Sequence, residues 1–317
     1  MLKYIRSANI VSIVLHTMHE RKEHHMDTGN ILLKKDINGL FAEEIVRHKS
    51  YSMATRHYHS DIELYFLLEG DRYYFVDQNT WHVHAHSGIL IGPNQIHKTS
   101  MFNENPEHHR FLLQFSSRPY DAIFQSLGYP PFASFAPFYQ EPVSFSDTNW
   151  NSVLSILSQL RDGFVTNTAR STLFLLAMQL LDLFCTAARQ QQIPYAATSS
   201  GQSQGSSSAS ELHRKIDDLA QYLQRHCSEK IVLDDLAAEF YFSRSRMTAA
   251  FKQITGFTIV EYITFMRIRK AKELLLHTDH SITDIADETG FGNVTYFERV
   301  FRTTVGKTPL QYRKKGE

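Results

Sequence analysis

The chain has 317 residues, of which 42% are hydrophobic and 21% charged, and its formal net charge is zero. These values are typical of a folded protein with room for two domains, and they exclude a polycation that binds nucleic acid through its total charge. Only two cysteines occur, Cys185 and Cys227, without the spacing of a metal site, which favours a reducing compartment.

The apolar stretches of the chain are short. Ile10–Leu15 is too short for a secretion signal of the usual layout, and Leu173–Leu183 is too short to span a bilayer. We therefore expect a cytoplasmic protein that has no membrane partner.

Residues 1–145 predict an N-terminal arm followed by a domain of β-strands. Short runs rich in aromatic and aliphatic residues are separated by Gly, Pro and Asn, and many such strands at close spacing indicate a barrel or a jelly roll. The candidate strands are Leu64–Leu68, Arg72–Val76, Trp81–His86, Ile89–Ile91 and Arg110–Phe115.

A histidine motif lies within this strand region. His57 and His59 alternate along the chain, Glu63 follows four residues after His59, and His97 comes after a Gly-Pro turn. Alternation along a strand places the first two imidazoles and the carboxylate on one face. Residues 57–70 and 88–97 resemble the two signature motifs of the cupin barrel, although Gln95 replaces a usual Gly and His97 lies one residue early.

Three uses of this face remain open: a small-molecule pocket, a divalent transition-metal site and a purely structural role. We predict an effector-binding site and assign neither a metal nor a cofactor to it. A cupin enzyme is not expected, because the sequence offers no second catalytic constellation. The predicted effector-binding residues are His57, His59, Glu63, Tyr65 and His97.

Residues 146–196 predict a pair of amphipathic helices. Apolar residues at helical spacing form one stripe from Trp150 to Leu160 and a wider one from Leu173 to Leu183. These stripes can pack in the core of the N-terminal domain, form a dimer interface, or do both. Residues 197–210 are rich in Ser and Gly and predict a flexible linker before the last domain.

The final segment, residues 211–317, contains one stretch of sequence written twice. The copies are Leu233–Lys252 and Ile282–Arg302, and equivalent residues lie 49 or 50 positions apart. Each copy has the pattern of a short helix, a turn and a second amphipathic helix, with Ser281 and Asn293 as helix caps in the second copy. A repeated helix-turn-helix indicates a transcription regulator with two DNA-reading elements.

Outward residues near the start of each second helix are expected to meet base edges in a major groove. Acidic residues collect on the first helices, whereas basic residues on the second helices, in Arg267–Lys272 and in Arg313–Lys315 can touch phosphate. The predicted DNA-binding residues are Arg244, Ser245, Arg246, Thr248, Ala249, Lys252, Asn293, Val294, Thr295, Tyr296, Glu298 and Arg299.

Residues 211–317 resemble the DNA-binding domain of the AraC/XylS family of bacterial transcription regulators. The marks are Ile285-Ala286, Gly290-Phe291, Tyr296-Phe297, Phe301-Arg302, Gly306 and Pro309. The resemblance implies seven helices, in which a long helix over Val260–His277 sets the two recognition helices about 34 Å apart. The sequence departs from the family at Ala249, where a basic or polar residue is common.

The predicted fold is therefore a multidomain one, with an N-terminal cupin-like antiparallel β-barrel plus helices and a C-terminal all-α double helix-turn-helix domain. The resemblance implies a non-enzymatic regulator, more often an activator, that binds double-stranded DNA and RNA polymerase as a homodimer. Its effector would be a small molecule, often a sugar, bound in the barrel. Two alternatives stay open: a metal-responsive regulator, and a constitutive one whose barrel only dimerises it.

Overall fold

The computed structural model describes residues 29–49, 59, 61–93, 95–102, 106–116, 126, 141–192 and 208–315. These residues form two compact units, one mainly within residues 26–217 and the other mainly within residues 218–317. The predicted N-terminal arm, as far as residue 28, and residues 197–207 of the predicted linker lie outside the described residues. The last three residues of that linker, from Ser208 onward, are already helical.

The first unit contains, in its described part, eight strands that all pair antiparallel, which confirms the predicted antiparallel sheet domain. The strands are β1 (Asn30–Ile37), β2 (Leu40–Arg47), β3 (Ile62–Val76), β4 (Asn79–His84), β5 (Ser87–Ile91), β6 (His97–Met101), β7 (His108–Phe115) and β8 (Val143–Ser144). One sheet has the order β1-β2-β7-β3-β5-β8, and β4 and β6 both pair with β3 outside that path.

Strand β3 pairs with two different sets of strands because it bends at Gly70. Its first half pairs with β7 and β5, whereas its second half, from Arg72 onward, pairs with β4 and β6. Gly70 has a φ of +86°, and a side chain there would clash with the Glu107 carbonyl oxygen, so only glycine fits. The bend brings the inner faces of both halves together, and Tyr65 and Tyr74 consequently lie in one buried cluster.

The opposite face of the main sheet packs against the predicted pair of helices, α1 (Asp147–Thr166) and α2 (Arg170–Gln192). Ser146 caps α1 by accepting a hydrogen bond from the Asn149 backbone N–H, and Asn167 ends it in a left-handed conformation. The shared core includes Leu64, Phe66, Phe111, Trp150, Leu160, Leu180 and Phe184. The two stripes of apolar residues therefore supply a core.

Helix α2 is longer and more apolar than the run Leu173–Leu183 suggests. Its segment Arg170–Gln191 has the length and composition to cross a membrane, although half of its 18 most apolar consecutive residues are buried within the protein. Ala187 and Ala188 extend the buried face by one more turn. The helix thus contributes its apolar residues to the packing against the sheet.

The described part of the C-terminal segment forms seven helices, the number that the resemblance implies. They are α3 (Ser208–Arg225), α4 (Leu233–Glu239), α5 (Arg244–Thr255), α6 (Ile259–His277), α7 (Ile282–Glu288), α8 (Val294–Val305) and α9 (Pro309–Lys315). Helix α6 begins one residue before the predicted start and ends where predicted. A capping box between Thr258 and Glu261 fixes its first turn.

The two copies of the sequence repeat are also a structural repeat. Helices α4 and α7 have 7 residues each, and α5 and α8 have 12 each. In the turns between them, the equivalent residues Tyr241 and Gly290 both adopt a left-handed backbone, with φ of 55° and 81°. Phe251 of the first copy is buried like its equivalent Phe301.

Candidate functional site

The turn between α7 and α8 is held by local hydrogen bonds and by one close backbone contact. The Ser281 hydroxyl and backbone N–H donate to Asp284, which lowers the pKa of that carboxyl, and Asn293 Oδ1 accepts from the Tyr296 N–H at 2.9 Å. The Ser281 hydroxyl also accepts from the Asp284 backbone N–H at 3.1 Å, so both predicted caps are confirmed. A side chain at Gly290 would clash with the Ser228 carbonyl oxygen, so the turn packs directly against the segment between α3 and α4.

The outer face of α8 carries three exposed residues of the predicted DNA-binding set. Thr295, Glu298 and Arg299 are exposed, as is the cap Asn293. Val294 and Tyr296, in contrast, are half-buried and pack against the core of the second helix-turn-helix. The Arg299 guanidinium lies over the Tyr296 ring, 5.4 Å from its centroid, so the ring supports the side chain from below.

Helix α5 presents a comparable face with more basic side chains. Arg244, Ser245, Arg246, Ala249 and Lys252 are exposed. Arg244 forms an ion pair with Asp234 of α4 at 3.1 Å, and Arg246 lies 6.0 Å from the centroid of the Phe242 ring.

The predicted Thr248 lies on this face but is half-buried. Its hydroxyl donates to the Arg244 carbonyl oxygen at 3.0 Å and to that of Ser245 at 3.1 Å. The hydroxyl is therefore engaged within its own helix, so the arginines are the strong donors that this face turns outward.

Two of the basic residues predicted to touch phosphate also make hydrogen bonds within the domain. Arg267 of α6 donates to the backbone oxygens of Cys227 and Glu229, at 2.6 and 3.0 Å. Lys270 donates to the Glu288 carbonyl oxygen at 3.2 Å, at the end of α7. These bonds link α6 to the segment between α3 and α4 and to the end of α7.

A second group of polar residues lies inside the N-terminal unit, around Glu63. This carboxylate is buried and accepts hydrogen bonds from the Tyr74 hydroxyl and the Gln114 amide, each at 2.8 Å. His59 Nε2 lies 3.1 Å from Glu63 Oε2, and His97 Nε2 lies 3.6 Å from the same oxygen. One carboxylate thus joins four neighbouring side chains.

The electrostatics of this group keep the carboxylate charged. Burial raises the pKa of Glu63, but attraction to His97 and hydrogen bonding by His59 outweigh it, so the pKa lies well below its usual range. Burial and the negative charge of Glu63 raise the pKa of Tyr74 well above its usual range. Glu63 is therefore an ionised acceptor, and Tyr74 a neutral donor that points at it.

The structure brings together three of the five predicted effector-binding residues, because ligand atoms of His59, Glu63 and His97 lie within 4.8 Å of one another. Tyr65 faces the same interior, with its ring 5.0 Å from that of Tyr74. His57 lies outside the described residues. Sequence reasoning missed Tyr74 and Gln114. Only strand register identifies Gln114, which lies opposite Glu63 on β7.

Comparisons with known proteins agree with this architecture. Residues 236–315 match a family described as "Helix-turn-helix domain". The chain is 25% identical over 306 residues to the uncharacterized HTH-type transcriptional regulator YfiF of Bacillus subtilis (strain 168), covering 91% of this chain and 90% of YfiF.

Two further relatives are similar over shorter stretches. The bifunctional transcriptional activator/DNA repair enzyme AdaA of Bacillus subtilis (strain 168) is 36% identical over 99 residues, or 31% of this chain and 47% of AdaA. The HTH-type transcriptional activator RhaS of Salmonella heidelberg (strain SL476) is 29% identical over 184 residues, or 55% of this chain and 60% of RhaS. The chain thus spans less than two thirds of either protein.

The family match coincides with the structural repeat, because it runs from α4 to α9 and includes both helix-turn-helix units. The likeness to an HTH-type regulator extends along nearly the whole chain. Residues 236–315 are therefore an AraC-type helix-turn-helix domain, and the chain is similar along nearly its whole length to an HTH-type transcriptional regulator.

Proposed function

We propose that this protein is a cytoplasmic transcription activator whose binding to double-stranded DNA is controlled by a small molecule, such as a sugar, in the N-terminal unit. The observation that supports DNA reading most directly is the exposed polar face of the second helix in both copies of the repeat. Activation is inferred from RhaS, which is named as an activator. An activator of this kind also contacts RNA polymerase, and we assign it no enzymatic reaction.

Each of the two recognition helices carries a candidate for contact with a base edge, and α5 also carries a candidate for contact with phosphate. On α8, Arg299 is suited to bidentate contact with guanine, and Thr295 and Glu298 flank it. On α5, where Ala249 is the equivalent of Arg299, Arg246 is the candidate for a base contact, and Lys252 near the end of the helix is suited to phosphate. Arg244, Ser245, Ala249 and Asn293 complete the exposed surface.

The Glu63 group offers the N-terminal unit a means of recognising hydroxyl groups. An ionised carboxylate, two imidazoles and an amide in one buried place can accept and donate the hydrogen bonds of a polyol. An effector that binds there must favour one arrangement of the protein over another if it is to change DNA binding. His57 and Tyr65 belong to the same proposed site.

A homodimer through α1 and α2 is part of the proposal. Leu154, Val165 and Leu175 on these helices are 39%, 63% and 63% exposed, although their neighbours are buried in the core. Apolar side chains at the surface of an otherwise packed helical pair favour contact with a second copy.

The proposed function is tested by selecting fragments of the host genome with the purified full-length protein near physiological salt, with and without a panel of sugars. Sharp enrichment that one compound changes supports the proposal. Sharp enrichment that no small molecule changes supports a constitutive dimeric regulator. If no fragment is enriched under any condition, the proposal of specific DNA binding is wrong.

A metal-responsive regulator is the second candidate, because His59, Glu63 and His97 have the donor atoms that divalent transition metals prefer. Metal analysis of the purified protein after incubation with Zn²⁺, Ni²⁺ or Mn²⁺ distinguishes the two. About one ion per chain that is lost in His97→Ala favours this candidate. Binding of no metal, or equal binding by the variant, contradicts it.

A further inference from the structure

Three arginines lie buried at the other end of the same interior. Arg47, Arg72 and Arg110 are 6%, 0% and 9% exposed. They come from three neighbouring strands, β2, β3 and β7, and the strand register gathers them around His108: Arg47 lies opposite His108, and Gly70, two residues before Arg72, lies opposite it on the other side. Arg110 follows two residues after His108 and therefore shares its face.

The charges of these three guanidinium groups shift the pKa values of the same two neighbours, His108 and Tyr65. Burial and the three positive charges, Arg72 first among them, lower the pKa of His108 to about 3, so this imidazole stays neutral. Burial raises the pKa of Tyr65, and the charges of Arg110, Arg72 and Arg47 oppose that rise. The Arg110 guanidinium lies 6.0 Å from the centroid of the Tyr65 ring. A positive potential is thus concentrated next to one phenol.

The donors at this end are not all satisfied by the described part of the chain. Tyr65 is 1% exposed, and within the described residues its hydroxyl makes no hydrogen bond. One terminal nitrogen of Arg110 is in the same situation, although Arg110 also forms an ion pair with Glu43. A buried hydroxyl and a buried N–H that lack an acceptor are costly unless something else supplies one.

We propose that the effector is a small acid whose carboxylate or phosphate group binds among Arg47, Arg72 and Arg110 and accepts a hydrogen bond from the Tyr65 hydroxyl. This inference rests on the proposed function, because it assigns a chemical class to the effector of that same site. It goes beyond a neutral sugar, for which the Glu63 group alone would suffice.

The arrangement suits an acid better than a neutral compound. Guanidinium groups match carboxylate and phosphate oxygens in paired hydrogen bonds, and such charge-assisted bonds are about twice as strong as neutral ones. Tyr65 and Tyr74 connect the two ends of the interior, since their rings are in contact and Tyr74 donates to Glu63. The best ligand therefore carries an acidic group at one end and hydroxyl groups at the other.

Matched pairs of acidic and neutral compounds test this proposal on the full-length protein. Suitable pairs are galacturonate with galactose, glucose 6-phosphate with glucose, and gluconate with sorbitol, with inorganic phosphate alone as a further probe. Thermal unfolding and isothermal titration report binding, and the same samples are assayed for binding to DNA fragments. We expect at least one acid to bind and its neutral partner to bind much more weakly.

Two variants locate the acidic group. Arg72→Gln should weaken binding of the acid about 10- to 100-fold, and Tyr65→Phe, which removes one oxygen and keeps the shape, about 3- to 10-fold. Lys49→Gln is the matched control, because it removes one positive charge from an exposed position of the same unit. Circular dichroism checks that each variant is folded, and Tyr65→Phe keeps the test valid if Arg72→Gln is not.

Binding of galacturonate or gluconate indicates that the effector carries a carboxylate, whereas binding of glucose 6-phosphate or inorganic phosphate indicates that it carries a phosphate. The proposal is overturned if no acid binds, if neutral partners bind as tightly, or if Tyr65→Phe binds the acid as tightly as the unchanged protein does. In each of those cases the proposed function still stands when a neutral compound alters DNA selection. The proposed function itself is wrong if no DNA fragment is selected, whatever binds in the N-terminal unit.

Discussion

At the scale of single residues, the turn of each helix-turn-helix needs a left-handed backbone, and the two copies meet that need differently. The second copy has Gly290, whereas the first has Tyr241, which is 89% exposed at φ 55°. We expect Gly290→Ala to destabilise the domain by more than about 2 kcal/mol, because strain and the contact with Ser228 add up. Tyr241→Gly should instead stabilise it by about 0.5–1 kcal/mol. Urea unfolding of the two variants checks both signs, and a stable Gly290→Ala would contradict the account of the turn.

We expect Arg299 to read a base directly. Arg299→Ala should weaken binding to the preferred sequence by about 1–3 kcal/mol and relax the preference at one base position. Arg302→Ala, on an exposed position in the last turn of the same helix, should weaken binding to all sequences about equally. Competition binding at a fixed salt concentration separates the two effects. An unchanged sequence preference in Arg299→Ala would show that this residue does not read a base.

At the scale of elements, an ion pair whose carboxylate is buried joins helix α1 to strand β2. Arg161 donates two hydrogen bonds to Glu44, both at 2.6 Å, and His109 contacts the same carboxylate at 2.8 Å. Burial raises the pKa of Glu44, but His109 and Arg161 outweigh it and lower the pKa. A lowered pKa contributes stability that is present above the ordinary carboxyl value and is lost as the pH falls through the folded value.

Removing Arg161 should therefore have a pH-dependent cost. Arg161→Ala leaves a buried carboxylate with one partner fewer and should lower the free energy of unfolding by about 1–3 kcal/mol at pH 7. The loss is no larger because the Arg161 side chain is 40% exposed and solvent screens the ion pair. The deficit should shrink as the pH falls, because without Arg161 the pKa of Glu44 is higher and the carboxylate takes up a proton sooner than in the unchanged protein. Arg161→Lys should recover part of the loss. Thermal unfolding between pH 3 and 7 measures the trend, and a deficit that does not change with pH would exclude the ion pair as its cause.

The helices could be predicted from the sequence far better than the strand pairing. Each helix-turn-helix copy contains its own caps, such as Asn293, and its own buried residues, such as Phe297, so local pattern is sufficient. Strand pairing joins residues that are far apart along the chain. No local signal shows that β3 bends at Gly70 or that Gly70 contacts the segment before β7. Gln114 and the arginines of the interior were missed for that reason: only the register places them beside Glu63 and Tyr65.

At the scale of the whole molecule, the proposed dimer can be tested without disturbing the core. Leu175 is 63% exposed, so Leu175→Asp should leave the fold intact and shift the full-length protein from dimer toward monomer. Sedimentation analysis over a range of concentrations measures the shift. Glu141→Gln, at an exposed position of the same unit, controls for a change of surface charge. A dimer of unchanged strength in Leu175→Asp would place the interface elsewhere.

We propose that both helix-turn-helix units read DNA side by side. Helix α6 connects them, and its 19 residues span about 28 Å at 1.5 Å per residue. The most direct measurement is protection of guanine N7 from methylation on a fragment selected by the full-length protein. We predict two protected patches in successive major grooves, about 10–10.5 base pairs apart, with Arg299→Ala losing one patch and Arg246→Ala the other. A single protected patch, or two patches that neither variant changes, would contradict the claim.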